Sequence, residues 1–283
     1  MKQVLITGAS GGLGYGLVQS LCENGHRVWA AVRKPESMKD LQSKYSSLLT
    51  VVKIDMTNSS DVDQAFAEIQ SKLDSTKEFV LVNNAGIAVG SPVESLAIEE
   101  WRNLYEINLF GPIRLIQKFL PTIRKTKGRI VNVGSISGRI SSPFLAPYSS
   151  SKFALRSLTD SLRREVSPLG VKVVLIEPGP TKTNIWSRSL EHGQELETKM
   201  TDDMRAVYGK QVQSLRKGVE KTARDAIGVE AVVECMVDAI ENENPKFYYL
   251  VGKNICLMAL VARFMPTRIL DKMLMSGFRG IKD

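Results

Sequence analysis

The strongest constraint on this chain is a rhythm of short apolar runs, each followed by a stretch with helical spacing. Seven runs recur, at Val4–Thr7, Arg27–Arg33, Leu49–Ile54, Phe79–Asn83, Arg129–Gly134, Val171–Glu177 and Phe247–Val251. Where strands alternate with helices, each helix carries the chain back so that the next strand runs in the same direction, which makes the sheet parallel. The runs are apolar almost throughout (VLI, VVKI, FVLV, IVNV, VKVVLI) instead of alternating, as expected of strands covered on both faces. The reading is an α/β fold with a seven-stranded, parallel, doubly wound sheet and helices on both faces. A length of 283 residues is compatible with one domain or two; one large sheet makes residues 1–283 a single domain.

Composition removes several classes of function. Cys22, Cys235 and Cys256 are odd in number and far apart, and His26 and His192 are the only histidines, so neither a disulfide scaffold nor a metal site is expected. The longest charge-free run, Gln3 to Cys22, has the 20 residues of a membrane span, but it holds five glycines among Thr, Ser and Gln. It reads as strand, turn and helix, and the chain is expected to be cytoplasmic. A net charge of +8 suits an anionic partner, yet Lys and Arg are dispersed and no polybasic block with interleaved aromatics occurs. Nucleic acid is therefore not an expected partner.

Between the strands, Asn58 or Ser59 is placed to cap a helix carrying Val62, Phe66, Ile69 and Leu73 on one face, and Ile98–Lys125 reads as two helices meeting near Gly111-Pro112. Two regions break the alternation. An insert at 184–226 contains Met204, Val207, Tyr208, Val212, Leu215 and Val219, spaced for one face of a helix, and reads as a substrate lid. An apolar extension at 253–283 carries Ile255–Ala262 and then a short helix with Ile269, Leu270, Met273 and Leu274 before Gly277. It holds no uninterrupted apolar span of about 20 residues and should not cross a bilayer; packing on the core, lining the cavity entrance, subunit pairing and peripheral membrane contact are all open to it.

Strand one runs into TGASGGLG (7–14) and a helix starting near Gly12. Gly8, Gly12 and Gly14, with Ser10 and Leu13 between them, let the backbone turn tightly and approach a pyrophosphate at a helix N-terminus. A glycine-rich turn after the first strand of such a sheet is the Rossmann arrangement for a dinucleotide. An NAD site carries an acid at the end of strand two. Here that stretch reads Ala31-Val32-Arg33-Lys34, with no acid before Glu36. A guanidinium at Arg33 can grip a 2′-phosphate through two hydrogen bonds, so the cofactor expected is NADP(H) in preference to NAD(H).

Tyr148 and Lys152 stand four residues apart, on one face of a helix. A phenol titrates near 10, and a neighbouring ammonium favours its anion, which suits proton transfer. Tyr249 and Lys253 have the same spacing, but only Tyr148 has a hydroxyl partner 13 residues earlier, at Ser135; the matching position before Tyr249 is Met236.

With TGASGGLG, Asp55 after strand three, NNAG (83–86), Asn108, Ser135, Tyr148-x-x-x-Lys152 and PGPTKT (178–183) in order, the chain resembles the short-chain dehydrogenase/reductase family over nearly its whole length. The resemblance implies that Tyr148 is the general acid in ketone reduction and the base in alcohol oxidation, and that Ser135 holds the substrate oxygen. It implies that Lys152 binds the nicotinamide ribose and lowers the Tyr148 pKa, and that Asn108 positions a water linking Lys152 to solvent. Asp55 and Met56 are implied near the adenine, and Asn84, Ala85 and Gly86 on the adenine–ribose side. Pro178, Gly179 and Thr183 are implied to meet the nicotinamide. As bare sequence, several of these are also ordinary turn formers.

Within the family, the VWAAVR strand, the GSISGRISSPFLAPYSSSKFAL segment and the apolar tail most resemble the 17β-hydroxysteroid, retinol and acyl-dihydroxyacetone-phosphate branches. This implies a steroid-, retinoid- or lipid-like ketone or secondary alcohol as substrate and a homodimer or homotetramer as the assembly. The expected activity is NADP(H)-dependent carbonyl reduction; the alternatives are an NAD-dependent alcohol dehydrogenase and a catalytically silent dinucleotide-binding sensor.

Overall fold

The computed structural model describes residues 1–198 and 200–275. The helix stop expected at Gly277 and the rest of the apolar extension, 276–283, lie outside the described residues. In chain order the elements are β1 (Gln3–Thr7), α1 (Gly12–Glu23), β2 (Arg27–Val32), α2 (Lys39–Lys44), β3 (Leu49–Lys53), α3 (Ser59–Lys72) and β4 (Phe79–Asn83). They continue with α4 (Ile98–Tyr105), α5 (Gly111–Lys125), β5 (Arg129–Val133), α6 (Ala146–Val166) and β6 (Lys172–Pro178). The chain then runs through α7 (Asn184–Thr198), α8 (Asp202–Arg224), α9 (Val229–Glu241), β7 (Tyr248–Val251), α10 (Ile255–Phe264) and α11 (Thr267–Met275).

All seven strands pair in parallel, in the order β3-β2-β1-β4-β5-β6-β7. Side chains alternate across the sheet and build one apolar layer on each face. Val4 and Ile6 join Leu17 and Leu21 of α1 and Met236 and Ile240 of α9. Leu5, on the opposite face, joins Trp29, Ile69, Phe79 and Phe119. Phe79 stacks on Phe119 at 5.2 Å between ring centroids, and Phe66 meets Phe119 edge-on at 5.1 Å, so α3 and α5 are held to the sheet by aromatic contacts. Two-sided burial is why the strands read as continuous apolar runs.

Asn58 caps α3, its side chain accepting from the Ser60 amide at 3.0 Å. Ile98–Lys125 differs from two helices with a break. A π-helical segment, Glu106–Phe110, joins α4 to α5 without a break, and Pro112, which has no amide to donate, follows it directly. The extra residue of a π turn rotates Asn108 inward, where it is 1% exposed.

The insert forms α7 and α8, and no residue of either is fully buried. The expected apolar stripe of α8 holds in part: Leu215 and Val219 face a cavity, whereas Val207 is 58% exposed. Val207 lies near the N-terminal end of a helix with cover only along part of its length. Among the described residues, no helix is long and apolar enough to cross a membrane.

Candidate active site

β1 and β4 are neighbours, and the chain winds outward from them in opposite directions, so a crevice opens beyond their carboxyl ends. Two adjoining cavities fill it. One, of about 740 Å³, is lined by Gly8, Ser10, Gly12, Leu13, Gly14, Arg33, Asp55, Met56, Asn84, Ala85 and Gly86. The other, of about 670 Å³, is lined by Ser135, Tyr148, Lys152, Pro178, Gly179 and Thr183. Leu13, Asn84, Gly86 and Thr183 border both. Every sequence-predicted site residue except Asn108 therefore lies on the wall of one crevice.

The glycine turn is held open by backbone contacts. Gly8 has φ +63°, and a Cβ there would sit 2.8 Å from the Ala85 Cα; a Cβ on Gly14 would collide with the Gly8 carbonyl and the Ala9 backbone. Glycine is thus required by the close approach of α1 to the strand ends, and the same bareness leaves room for a pyrophosphate. Thr7 and Asn84 lock this geometry: the Thr7 hydroxyl accepts from the Asn84 and Ala85 amides, each at 3.0 Å, and Asn84 Nδ2 donates to the Thr7 carbonyl at 2.9 Å.

At the far rim, Arg33 and Lys34 are exposed and line the larger cavity with Ser37. Burial raises the Asp55 pKa, but hydrogen bonds from Thr57 and the charges of Arg33 and Lys53 outweigh it and hold the carboxyl below its usual range. The Asp55 carboxylate accepts from Thr57 N at 2.9 Å and Oγ1 at 2.7 Å, so it shapes the turn after β3.

Tyr148 and Lys152 project from the first turns of α6 and are 5% and 4% exposed. Lys152 Nζ donates to the Val133 carbonyl at 2.9 Å, which ties α6 to the end of β5. Burial pushes the ammonium down to about 8. Burial also raises the Tyr148 phenol, and the hydrogen bond with Ser135 offsets part of that rise. The lowering of the Tyr148 pKa by Lys152, expected from the resemblance, is therefore not seen here: Nζ lies 5.8 Å from the ring centroid and is engaged by Val133.

Asn108 lies behind this pair. Its Oδ1 accepts from the Ile87 amide at 2.9 Å, and its Nδ2 donates to the Ile87 carbonyl at 2.9 Å and to Ser151 Oγ at 3.0 Å. Oδ1 and Lys152 Nζ border the same space beside Gly86, lying 3.4 and 3.5 Å from where a Cβ would stand.

The structure also adds residues that sequence reasoning missed. Trp186 meets the Tyr148 ring edge-on at 6.3 Å, and Ser151 links Asn108 to α6. Glu177, wholly buried at the end of β6, receives Arg139 through Nε at 2.9 Å and Nη2 at 2.6 Å, holding the segment after Ser135. His192 of α7 meets Glu100 of α4 at 3.0 Å across the cofactor-side cavity. Only Ser151 had a local signal, inside the Tyr148-x-x-x-Lys152 motif. The second tyrosine–lysine pair is structural: Tyr249 donates to Asp238, and burial with that carboxylate pushes its phenol up to about 12.

A doubly wound sheet with a glycine-lined crevice at its switch point, and a tyrosine, lysine and serine together beside it, defines a dinucleotide-dependent oxidoreductase. The chain belongs to the short chain dehydrogenase family, whose model matches residues 2–194. It is 35% identical over 277 residues to the NADPH-dependent 3-dehydrocapnine reductase of Ornithobacterium rhinotracheale, covering 96% of this chain and 95% of that one. It is 34% identical over 279 residues to retinol dehydrogenase 7 of Mus musculus, covering 96% and 87%. A short chain dehydrogenase from Burkholderia cenocepacia, solved in complex with NADP, superposes with a TM-score of 0.73 at 26% identity, covering 98% and 100%.

Proposed function

We propose that the protein is an NADPH-dependent carbonyl reductase that converts a bulky hydrophobic ketone to a secondary alcohol. The observation that carries the reading is the continuity of the crevice. It runs from the Arg33–Lys34 rim, past the glycine turn, into an apolar cavity with Tyr148 and Ser135 on its wall. The bare glycine cradle fits a pyrophosphate, and the absence of an acid at the end of β2 fits a 2′-phosphate. Two relatives or neighbours whose names carry NADPH or NADP point the same way.

When bound there, the reduced nicotinamide supplies hydride to the carbonyl carbon. Tyr148 delivers a proton to the carbonyl oxygen as negative charge develops on it. Ser135 hydrogen-bonds that oxygen and Tyr148 together, stabilising the charge in a site removed from water. Lys152 holds the nicotinamide ribose and brings positive charge toward the phenol; for this it exchanges the Val133 carbonyl for the ribose hydroxyls. Asn108 supports a water in the space beside Gly86, from which Lys152 is reprotonated. Ile136, Ile140, Leu145, Trp186, Leu215 and Val219 give the cavity its apolar wall, which favours a steroid-, retinoid- or lipid-like substrate. Helices α7 and α8 serve as its lid. The family resemblance further implies a homodimer or homotetramer, which sedimentation equilibrium checks.

Energy transfer from tryptophan to bound nicotinamide, followed by a ketone panel, tests the proposal. Tight NADPH binding, weak NADH binding and turnover of a lipid-like ketone are expected. Arg33→Ala should weaken NADPH about thirtyfold while leaving NADH within twofold. Equal binding of the two cofactors, or turnover of small polar ketones alone, would overturn the respective half of the proposal.

A further inference from the structure

The last two described helices present apolar side chains outward. On α10, Ile255 and Ala259 are buried against Ile136 and Ile140, so the core needs only one side of this helix. The opposite arc should then be polar in a helix that faces water alone. It is instead made of Leu257, Leu260 and Phe264, at 59, 56 and 69% exposure, which at positions i, i+3 and i+7 fall on one stripe. On α11, Ile269 is likewise exposed, at 54%. The exposed cations Lys253, Arg263, Arg268 and Lys272 stand against the single acid Asp271 in the stretch 253–275, and the Arg263 guanidinium lies 5.3 Å from the Phe264 ring.

We propose that α10 and α11 form a docking element for an anionic lipid bilayer surface. An apolar stripe flanked by Lys and Arg is what a helix lying in the headgroup boundary requires: the apolar side chains enter the acyl region and the cations meet lipid phosphates. Charge also argues against a second copy of the chain as the occupant. A two-fold contact through this patch would bring like cations together, whereas an anionic surface complements all four. Position gives the surface a purpose. Ile255 and Met258, at the start of the same helix, and Lys253 just before it line the cavity that holds Tyr148. Docking through α10 therefore sets the cavity mouth beside the bilayer, where a lipid-like ketone is dissolved. The docking stands by itself; this delivery role rests on the substrate reading above.

Cosedimentation with vesicles of phosphatidylcholine, with and without phosphatidylserine, tests the docking with no cofactor or ketone present. Binding is expected to the mixed vesicles, to weaken with salt, and to fall about tenfold or more in the triple variant Leu257→Ser, Leu260→Ser, Phe264→Ser. Replacing Arg268 and Lys272 by Gln should reduce the same binding without altering the melting temperature. Light scattering of the wild type and the triple variant should give the same mass. An absence of binding to either vesicle overturns the proposal. So does a triple variant that binds normally, or one that changes from oligomer to monomer while vesicle binding is unaffected. The delivery role predicts that the triple variant loses kcat/KM for a vesicle-dissolved ketone but keeps it for a water-soluble one. If no ketone is turned over while vesicle binding follows the pattern above, the substrate reading fails and the docking stands.

Discussion

Helix α6 buries nine of its residues, Tyr148 and Lys152 among them, while α7 and α8, which close the same cavity from the other side, have none fully buried. On the α6 side, polar groups are tied to the sheet: Lys152 to the Val133 carbonyl, Asn108 to Ile87 and Ser151, and Asn132 to Thr159 at 2.9 Å. Across the cavity, the links are peripheral, such as Tyr208 to Glu94 at 2.8 Å and Arg216 to Glu197 at 2.6 Å. The groups that would make and break bonds are held by a well-buried helix, and the surface that would select the substrate by helices with no fully buried residue. Few buried contacts mean that α7 and α8 can open at low cost, as a lid must.

The largest effect that can break this comparison is at Tyr148. Tyr148→Phe keeps the ring against Trp186 and removes only the hydroxyl, so kcat should fall about a thousandfold while NADPH affinity, read by energy transfer, stays within about threefold. Retained turnover would move the acid elsewhere; retained cofactor binding without wild-type turnover on any ketone would favour a sensor. Next in size is Gly14→Ala. Its Cβ meets the backbone of Gly8 and Ala9, which cannot rotate aside, so unfolding free energy should drop by about 3 kcal/mol in urea titration. Helix α8 contains Gly218 with nothing within 4 Å of its Cβ position, so Gly218→Ala should raise the unfolding free energy by up to about 1 kcal/mol, the gain of a better helix former with room for its methyl.

The rigid side was largely legible in the sequence because its requirements are local. The strands announce two-sided burial, the glycine turn announces backbone crowding, and Tyr148 and Lys152 need only one turn of helix to come together. What was hidden depends on long-range packing. No pattern links His192 to Glu100 or Trp186 to Tyr148, because a helix with an amphipathic stripe can dock in many rotations and positions along its axis. Val207 shows the same limit: it has the spacing of the stripe, yet the stripe extends past the surface that covers it. The hydrogen bond from Lys152 to Val133 was hidden for a related reason, since spacing along a helix does not reveal that Nζ turns to a carbonyl on β5.

A pH profile sharpens the comparison through the buried lysine. Because burial lowers the Lys152 pKa to about 8, the folded protein gives up this proton while the unfolded chain still holds it, up to the ordinary lysine value of 10.5. The unfolded state then binds more protons, so the Lys152 contribution to stability should rise from about pH 8 to 10.5 and be constant below that window. Tyr148 has the opposite sign: with its pKa raised by burial, it favours the fold below the ordinary phenol value and loses that advantage only at higher pH. Activity should show an alkaline limb in kcat/KM near pH 8 as Lys152 loses its charge. Lys152→Arg cannot lose its proton in this range, so it should move the limb upward even with a tenfold lower plateau. A limb that stays near pH 8 in the variant would assign the titration to another group.

The smallest effect is expected on the lid, and it carries the most information about substrate. Leu215 and Val219 face the cavity but are only half-buried, so truncating both to Ala removes apolar wall without leaving a closed void in the core. Melting temperature should move by no more than about 2 °C, since surface and lid positions contribute little to global stability. For a ketone large enough to reach α8, the lost contacts should raise KM by about tenfold with kcat nearly unchanged, the signature of binding shared by ground and transition states. A small ketone that occupies only the floor beside Tyr148 and Ser135 should not register the change. If both ketones lose the same factor in kcat, α8 is positioning the chemical groups, and the division between a rigid chemical side and an adaptable selective side does not hold.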